Sequence, residues 1–221
     1  MKGSTIVMYE TFENLPESKR EHILQVCIEE FARNGYINTS TNTIVKRLGI
    51  SKGLLFLYFK SKKNLFLYIT DYLTELLTIE FFERFSKNQQ IEFMDIFDLM
   101  GDFYNMLLQE KPHYAMIFME TFLNTPMELK DEFEERHRLA HEKIIKRIKT
   151  DNIRKDIDIQ NVLDLFHMAS YHVGRMIFRE YGRETEHFKK NADKYIKIFN
   201  QYVDIIKYGV VGCKPVNRSA P

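Results

Sequence analysis

Residues 44–66 read IVKRLGISKGLLFLYFKSKKNLF, a stretch in which nearly every side chain is apolar or positively charged. Gly49 and Gly53 interrupt it. Greasy residues and a single sign of charge belong together when one face of a small helical unit is buried and the other meets phosphates. A wider window sharpens the pattern. Residues 31–70 carry Arg33, Lys46, Arg47, Lys52, Lys60, Lys62 and Lys63 and not one Asp or Glu, although the whole chain of 221 residues has a formal net charge of only +1. Residues 71–208 are net acidic. A basic segment set against an acidic bulk points to a polyanionic partner at one end of the molecule.

Working outward, the periodicity predicts a helix over Pro16–Asn34. Pro16 suits its first turn, Glu17 and Glu21 favour its positive end, and Ile23, Cys27 and Phe31 recur at helical spacing before Gly35 closes it. Thr39, Ser40 and Thr41 are N-cap candidates for a short second helix with Ile44, Val45 and Leu48 inward and Gly49 at its end. Ser51 then caps a third short helix through Leu54, Leu55 and Tyr58, and Ser61 caps a long fourth from Lys62 to about Phe85. Two short helices about the tight turn Leu48-Gly49-Ile50-Ser51 form a helix-turn-helix, whose second helix is presented to a DNA groove.

Residues 20–67, REHILQVCIEEFARNGYINTSTNTIVKRLGISKGLLFLYFKSKKNLFL, resemble the N-terminal domain of the TetR family of bacterial transcriptional regulators. The matching positions include Ile23 and Leu24, the small Cys27, Phe31, the Gly35-Tyr36 corner, Thr39-Ser40, Ile44, Gly49-Ile50-Ser51-Lys52-Gly53, Phe59 and Ser61-Lys62. Leu54 stands where the family usually has a hydroxyl residue, and Phe56 where it often has tyrosine. The resemblance implies DNA binding through Thr39, Ser40, Thr41, Thr43, Ser51, Lys52, Gly53, Leu55, Tyr58 and Lys62. Geometry divides these: Ser51, Lys52 and Gly53 lie at the start of the recognition helix, nearest base edges, while Lys62, Tyr58 and Thr39 are expected on phosphates.

The composition bounds the rest. Hydrophobic residues make up 44% and charged residues 29%, an ordinary globular balance, and only nine glycines and five prolines leave long helices as the default. The N-terminal stretch has no continuous apolar run and carries Glu10, Glu13 and Glu17, unlike a secretory signal, and no window approaches the roughly 18 apolar residues of a membrane span. Cys27 and Cys213 match no paired-ligand spacing, so reduced thiols in the cytoplasm are expected. Beyond residue 86, helices are predicted near Ile91–Glu110, Pro112–Leu123, Pro126–Thr150, Ile159–Tyr181 and Thr185–Tyr208, followed by a flexible tail over residues 209–221.

No catalytic motif or phosphate loop is present. His137 and His141 stand at i, i+4 on a charged helix face without supporting ligands, so neither a metal nor a cofactor is assigned. His167 and His172 are five apart and point to different faces. Aromatic and methionine side chains concentrate on helices that, in the resembled family, surround an apolar effector pocket. Most of them fill the core any helical bundle needs, and Phe97, Met100, Tyr104, Met116, Met119, Phe122, Phe166, His167 and His172 are the candidate ligand-binding residues. The last two helices offer Ser170 and Gly174 for close approach and Val173, Ile177, Phe199, Tyr202, Val203 and Ile206 as apolar stripes, the expected homodimer interface.

The expectation is an all-α protein with a helix-turn-helix domain at residues 16–66 and a helical effector-binding and dimerisation domain at 67–208. It is read as a non-enzymatic, sequence-specific regulator: a dimeric repressor on a pseudo-palindromic double-stranded operator, released by a small apolar or amphipathic effector. Two rival readings stand beside it: an enzyme using the aromatic cavity, which leaves the acid-free basic segment unexplained and lacks a nucleophile or metal set, and a helical protein-interaction adaptor whose basic face meets an acidic partner.

Overall fold

The computed structural model describes residues 9–84, 90–150, 153 and 155–211. It is all-helical apart from one two-residue strand pair. In chain order the elements are α1 (Glu17–Asn38), α2 (Thr41–Leu48), α3 (Lys52–Phe59), α4 (Lys62–Arg84), β1 (Ile91–Glu92), α5 (Asp95–Glu110), α6 (Pro112–Leu123), a 3-10 turn (Met127–Leu129), α7 (Lys130–Ile145), β2 (Ile148–Lys149), α8 (Ile159–Tyr181) and α9 (Thr185–Val211). Two compact units divide these residues: one takes in the chain up to Thr78 together with His113–Glu135, the other Ile79–Pro112 together with the chain from Arg136.

Two local expectations need correction. The predicted helix from Ile91 begins only at Asp95, because Ile91 and Glu92 pair in parallel with Ile148 and Lys149. The backbone N–H groups of Ile91 and Phe93 donate to the carbonyls of Arg147 and Lys149, both at 3.0 Å, while Asp95 and Asp98 supply the acidic first turn that a helix N-terminus favours. The same pairing ends the predicted helix Pro126–Thr150 at Ile145. Pro126 lies outside any helix, with ψ of 139°, ahead of the 3-10 turn. At the C-terminus α9 runs on to Val211, so the first residues of the expected tail are helical; residues 212–221 and Phe85 lie outside the described residues.

The first unit, hereafter the head, has a core dominated by aromatics. Phe31, Phe59, Phe66, Ile44, Leu55, Leu65 and Ile69 are fully buried. A helical turn at residues 9–13, which the sequence reading left out, closes one side: Tyr9 and Phe12 pack on Phe59 at 6.1 and 4.6 Å between ring centroids and edge-on against Tyr68 at 4.9 and 5.3 Å. Each such pair contributes about 0.5–1.5 kcal/mol beyond burial. In the second unit, Phe97 packs on Phe166 at 4.9 Å and Phe166 on Phe199 at 5.5 Å, which locks α5, α8 and α9 together. Gly101 lets α5 approach α9, since a Cβ there would lie 3.6 Å from the Phe199 ring and 3.3 Å from Asn200 Oδ1.

Candidate nucleic-acid interface

The helix-turn-helix is fixed by two backbone devices. Gly49 ends α2 in the left-handed conformation, φ 65° and ψ 27°, and the Ile50 N–H reaches back to the Val45 carbonyl at 3.1 Å, closing the last turn. A side chain at Gly49 would meet nothing, so conformation alone demands glycine here. Ser51 then starts α3, its Oγ accepting the Leu54 N–H at 3.1 Å, and Ser61 starts α4, its Oγ accepting the Asn64 N–H at 3.0 Å. Both caps stand where the sequence pattern puts them.

Burial sorts the ten expected DNA-contact residues. Ser40, Thr43, Ser51, Lys52 and Gly53 are exposed, and Thr41 is partly so. Ser40 occupies the N-cap of α2 yet its side chain caps nothing, which leaves the hydroxyl available. Thr39, Leu55 and Tyr58 are buried instead. The Thr39 hydroxyl donates to the Gly35 carbonyl at 2.6 Å, Leu55 fills the centre of the unit, and the Tyr58 ring lies 5.7 Å from Phe12. Burial gives Thr39 and Leu55 packing roles, and it encloses the Tyr58 ring as well.

Lys62 is likewise committed. Its Nζ lies 2.9, 3.1 and 3.3 Å from the carbonyl oxygens of Tyr36, Ile37 and Thr39, and 4.7 Å from the centre of the Tyr36 ring. An ammonium has three N–H donors, and three carbonyls use them. The reason lies in α1, whose path breaks at Gly35 (φ 71°, ψ 169°) and turns away, freeing carbonyls for a cation to cap. The same break frees the Tyr36 N–H, which donates to Oε1 of the buried Glu120 at 3.1 Å. That partner, 84 residues away, has no local sequence signal.

Other charges of the basic segment are neutralised within the unit. Arg47 bridges Glu29 at 2.5 Å and Glu30 at 2.8 Å, Glu30 being only 4% exposed, and Lys63 pairs with Glu132. The hydrogen bond from Arg47 holds the Glu29 carboxyl below the usual carboxylate range. Burial pushes the Cys27 thiol up to about 12, so this cysteine is inert. Arg33, Lys46, Lys52 and Lys60 remain exposed with no carboxylate partner among the described residues. Lys46, Lys60 and Leu57, which lie outside the expected contact set, are exposed too, and Leu57 stands one helical turn beyond Gly53.

Residues 23–69 match the family model of bacterial regulatory proteins, tetR family. Within the head, that segment is similar to the family's domain. The HTH-type transcriptional regulator QacR of Staphylococcus aureus (strain Mu50) is 46% identical over 61 residues, 28% of this chain and 29% of that protein. AcrR of Shigella flexneri, also an HTH-type transcriptional regulator, is 36% identical over 50 residues, 23% of each chain. The match thus spans under a third of the length of these curated relatives. Similarity of fold reaches further than similarity of sequence. Two TetR regulators of known structure from Chloroflexus aurantiacus J-10-FL superpose with TM-scores of 0.55 and 0.58 at 22% and 18% identity, over 91% and 88% of this chain and 97% and 96% of theirs.

The expected ligand-binding and dimer residues divide between the two units. Of the ligand-binding candidates, Met116, Met119 and Phe122 belong to the first unit and Phe97, Met100, Tyr104, Phe166, His167 and His172 to the second. Phe97, Met116 and Phe166 are buried, Met100, Met119 and Tyr104 partly so, and Phe122, His167 and His172 exposed. Burial pushes the Tyr104 phenol up to about 12. Of the expected dimer stripe, Val173, Gly174, Ile177, Phe199, Val203 and Ile206 are buried inside a single chain, Ser170 and Tyr202 only partly so, and the Ser170 hydroxyl donates to the Phe166 carbonyl at 2.9 Å. These residues join α8 to α9. The apolar residues left outside are Leu165, Met168 and Tyr171 on α8 and Ile205 and Tyr208 on α9.

No described helix is long and apolar enough to cross a membrane. Among the described residues no group of three or more His, Cys, Asp and Glu is placed to hold a metal ion, and the His141 side chain lies outside them.

Proposed function

We propose that this protein is a sequence-specific DNA-binding transcriptional regulator, a homodimeric repressor released from a pseudo-palindromic operator by a small apolar or amphipathic molecule. The observation that carries the reading is the outer face of α2 and α3. There a capped helix-turn-helix exposes Ser40, Thr43, Ser51, Lys52 and Gly53, flanked by the exposed cations Lys46 and Lys60. A recognition helix enters the major groove by its N-terminal residues while flanking cations and hydroxyls hold phosphates. Dimerisation falls to the face bearing Leu165, Met168, Tyr171, Ile205 and Tyr208, because apolar side chains clustered at helical spacing mark a surface that another protein covers. Two heads held by a two-fold axis require two half-sites in opposite orientation.

Release by an effector needs only that the small molecule bind a state of low DNA affinity more tightly than the operator-bound state. The aromatic and methionine side chains of both units suit an apolar ligand. Selection of bound sequences from a random duplex pool tests the reading. Enrichment of an inverted repeat, with affinity that falls steeply with salt, is expected. A pool that stays random through repeated rounds, at low salt and with dimer present, would sink the assignment.

A further inference from the structure

We infer that α3 distinguishes base pairs mainly by apolar contact with thymine 5-methyl groups, with Leu57 as the principal reading side chain and Gly53 as the point of close approach. This rests on the DNA-binding reading above. Hydrogen bonds to base edges in the major groove come chiefly from Arg, Lys, Asn, Gln, Glu and Asp, and of these α3, KGLLFLYF, contains only Lys52. Its polar side chains are few. Tyr58 is buried, the Ser51 hydroxyl that precedes the helix accepts the Leu54 N–H, and Lys52 is a single flexible charge whose Nζ sits 5.8 Å from the centre of the Phe56 ring.

What the helix does present is apolar and open. Leu57 is 50% exposed, Phe56 is half-buried, and Leu57 stands one turn beyond Gly53 on the same face. Gly53 supplies the independent observation. Its backbone is ordinary helix, and a Cβ added there would meet only Ser51 Oγ, at 3.9 Å. Neither conformation nor internal packing demands glycine, although glycine weakens a helix relative to alanine. The space it leaves opens outward, where it lets the start of α3 approach another surface closely. The exposed cations Lys46, Lys52 and Lys60 around this face make that surface a polyanion rather than a protein or a lipid tail. On the major-groove edges of DNA, the apolar group is the C5-methyl of thymine. A half-site that seats Leu57 therefore carries thymine opposite it.

The test uses the full chain and duplexes enriched from a random pool. Each fixed thymine of the half-site is replaced in turn by deoxyuridine, which removes only the methyl group. Wild-type protein is expected to lose about four-fold in affinity for each methyl it buries, at one or more interior positions. In Leu57→Ala the dT/dU ratio at that position falls to about one while DNA is still bound; Gly53→Ala weakens the enriched duplex at least ten-fold without lowering the unfolding temperature. An enriched half-site in which no thymine responds to deoxyuridine overturns the inference and leaves DNA binding intact, and so does a Leu57→Ala protein that keeps the full ratio. Failure to enrich any duplex would overturn the DNA-binding reading itself, and this inference with it. The deoxyuridine arm needs no variant, so folding of the variants does not limit it.

Discussion

Exposed apolar side chains mean different things in the two units. In the head they stand singly: Ile37 on α1, Leu57 on α3, Phe122 on α6 and Met127 in the 3-10 turn. In the second unit they align, Leu165, Met168 and Tyr171 along α8 and Ile205 and Tyr208 along α9, over a core already closed by Phe97, Phe166 and Phe199. A solitary exposed leucine is unremarkable by its area and takes its meaning from its helix; a run at i, i+3, i+6 takes its meaning from its continuity. The charges differ in the same sense. Head cations are spent partly on structure, on Glu29, Glu30, Glu132 and three carbonyls, and only the remainder faces outward.

The largest expected effect breaks the continuous face. Met168→Glu, at a residue 65% exposed, should leave the monomer folded and raise the dimer dissociation constant at least a hundred-fold, about 2.7 kcal/mol. Operator affinity falls with it. Val203→Ala, at a position first read as dimer interface, should instead lower the unfolding temperature and leave the dimer constant unchanged. Light scattering across a concentration series separates the two; a Met168→Glu protein that stays dimeric at nanomolar concentration would show that this face is not the interface.

A second contrast is in pH. Burial, and the neighbouring His167, hold the half-buried His137 imidazole at about 4, below its ordinary 6.5. An imidazole that resists its proton when folded but accepts it when unfolded makes the folded state lose stability as pH falls below about 6.5, levelling off near 4. Full burial would make this worth roughly 3 kcal/mol, and the ring's partial exposure brings the expected loss to about 2. Denaturant titrations from pH 7.5 to 4.5 should show the loss in wild type, reduced in His137→Leu. Equal acid sensitivity in the two proteins would remove His137 as the cause.

The head was legible in the sequence because each of its devices is local: Gly49, the caps Ser51 and Ser61, and a helix-turn-helix within twenty residues. What failed there was burial. Charge and spacing cannot tell that Tyr58 turns inward to Phe12, that Arg47 answers Glu29 and Glu30 across the unit, or that Lys62 reaches three carbonyls at the end of α1. In the second unit the helices were legible and their faces were not, since α8 and α9 each carry two apolar stripes and only packing decides which lies inside. The β1–β2 pair escaped notice because two residues carry no periodicity.

Lys62 tests the claim that head cations are divided between structure and phosphate. Lys62→Met keeps an apolar stem of similar length and removes the ammonium, leaving carbonyls of Tyr36, Ile37 and Thr39 without their donor. A loss of about 1.5 kcal/mol in stability is expected. The slope of log affinity against log salt for the operator should stay as in wild type, whereas Lys52→Ala should reduce it by about one unit. A one-unit drop in the Lys62 variant would return that side chain to the phosphate contacts first read for it.

The smallest effect lies at Lys60, between the recognition helix and α4. Lys60 has φ of 64° and ψ of −42°, the only positive φ outside glycine among the described residues, and the Ser61 N–H donates to the Phe59 carbonyl two residues back at 2.7 Å. This is a tight γ-turn of the rare positive-φ kind, disfavoured for any side chain with a Cβ. Glycine removes that strain but gives back some of the gain as chain entropy in the unfolded state. Lys60→Gly should therefore stabilise the protein by about 0.5–1 kcal/mol relative to Lys60→Ala; that reference already lacks the ammonium and its 3.3 Å bond to the Leu57 carbonyl. Both variants lose the same exposed charge beside α3, so both should lower the salt slope by about one unit. Strain and charge are thus read separately, one in the unfolding midpoint and the other in the salt titration. An alanine variant as stable as the glycine variant would mean that the turn stores no strain, and unchanged salt slopes in both would remove Lys60 from the phosphate-facing surface.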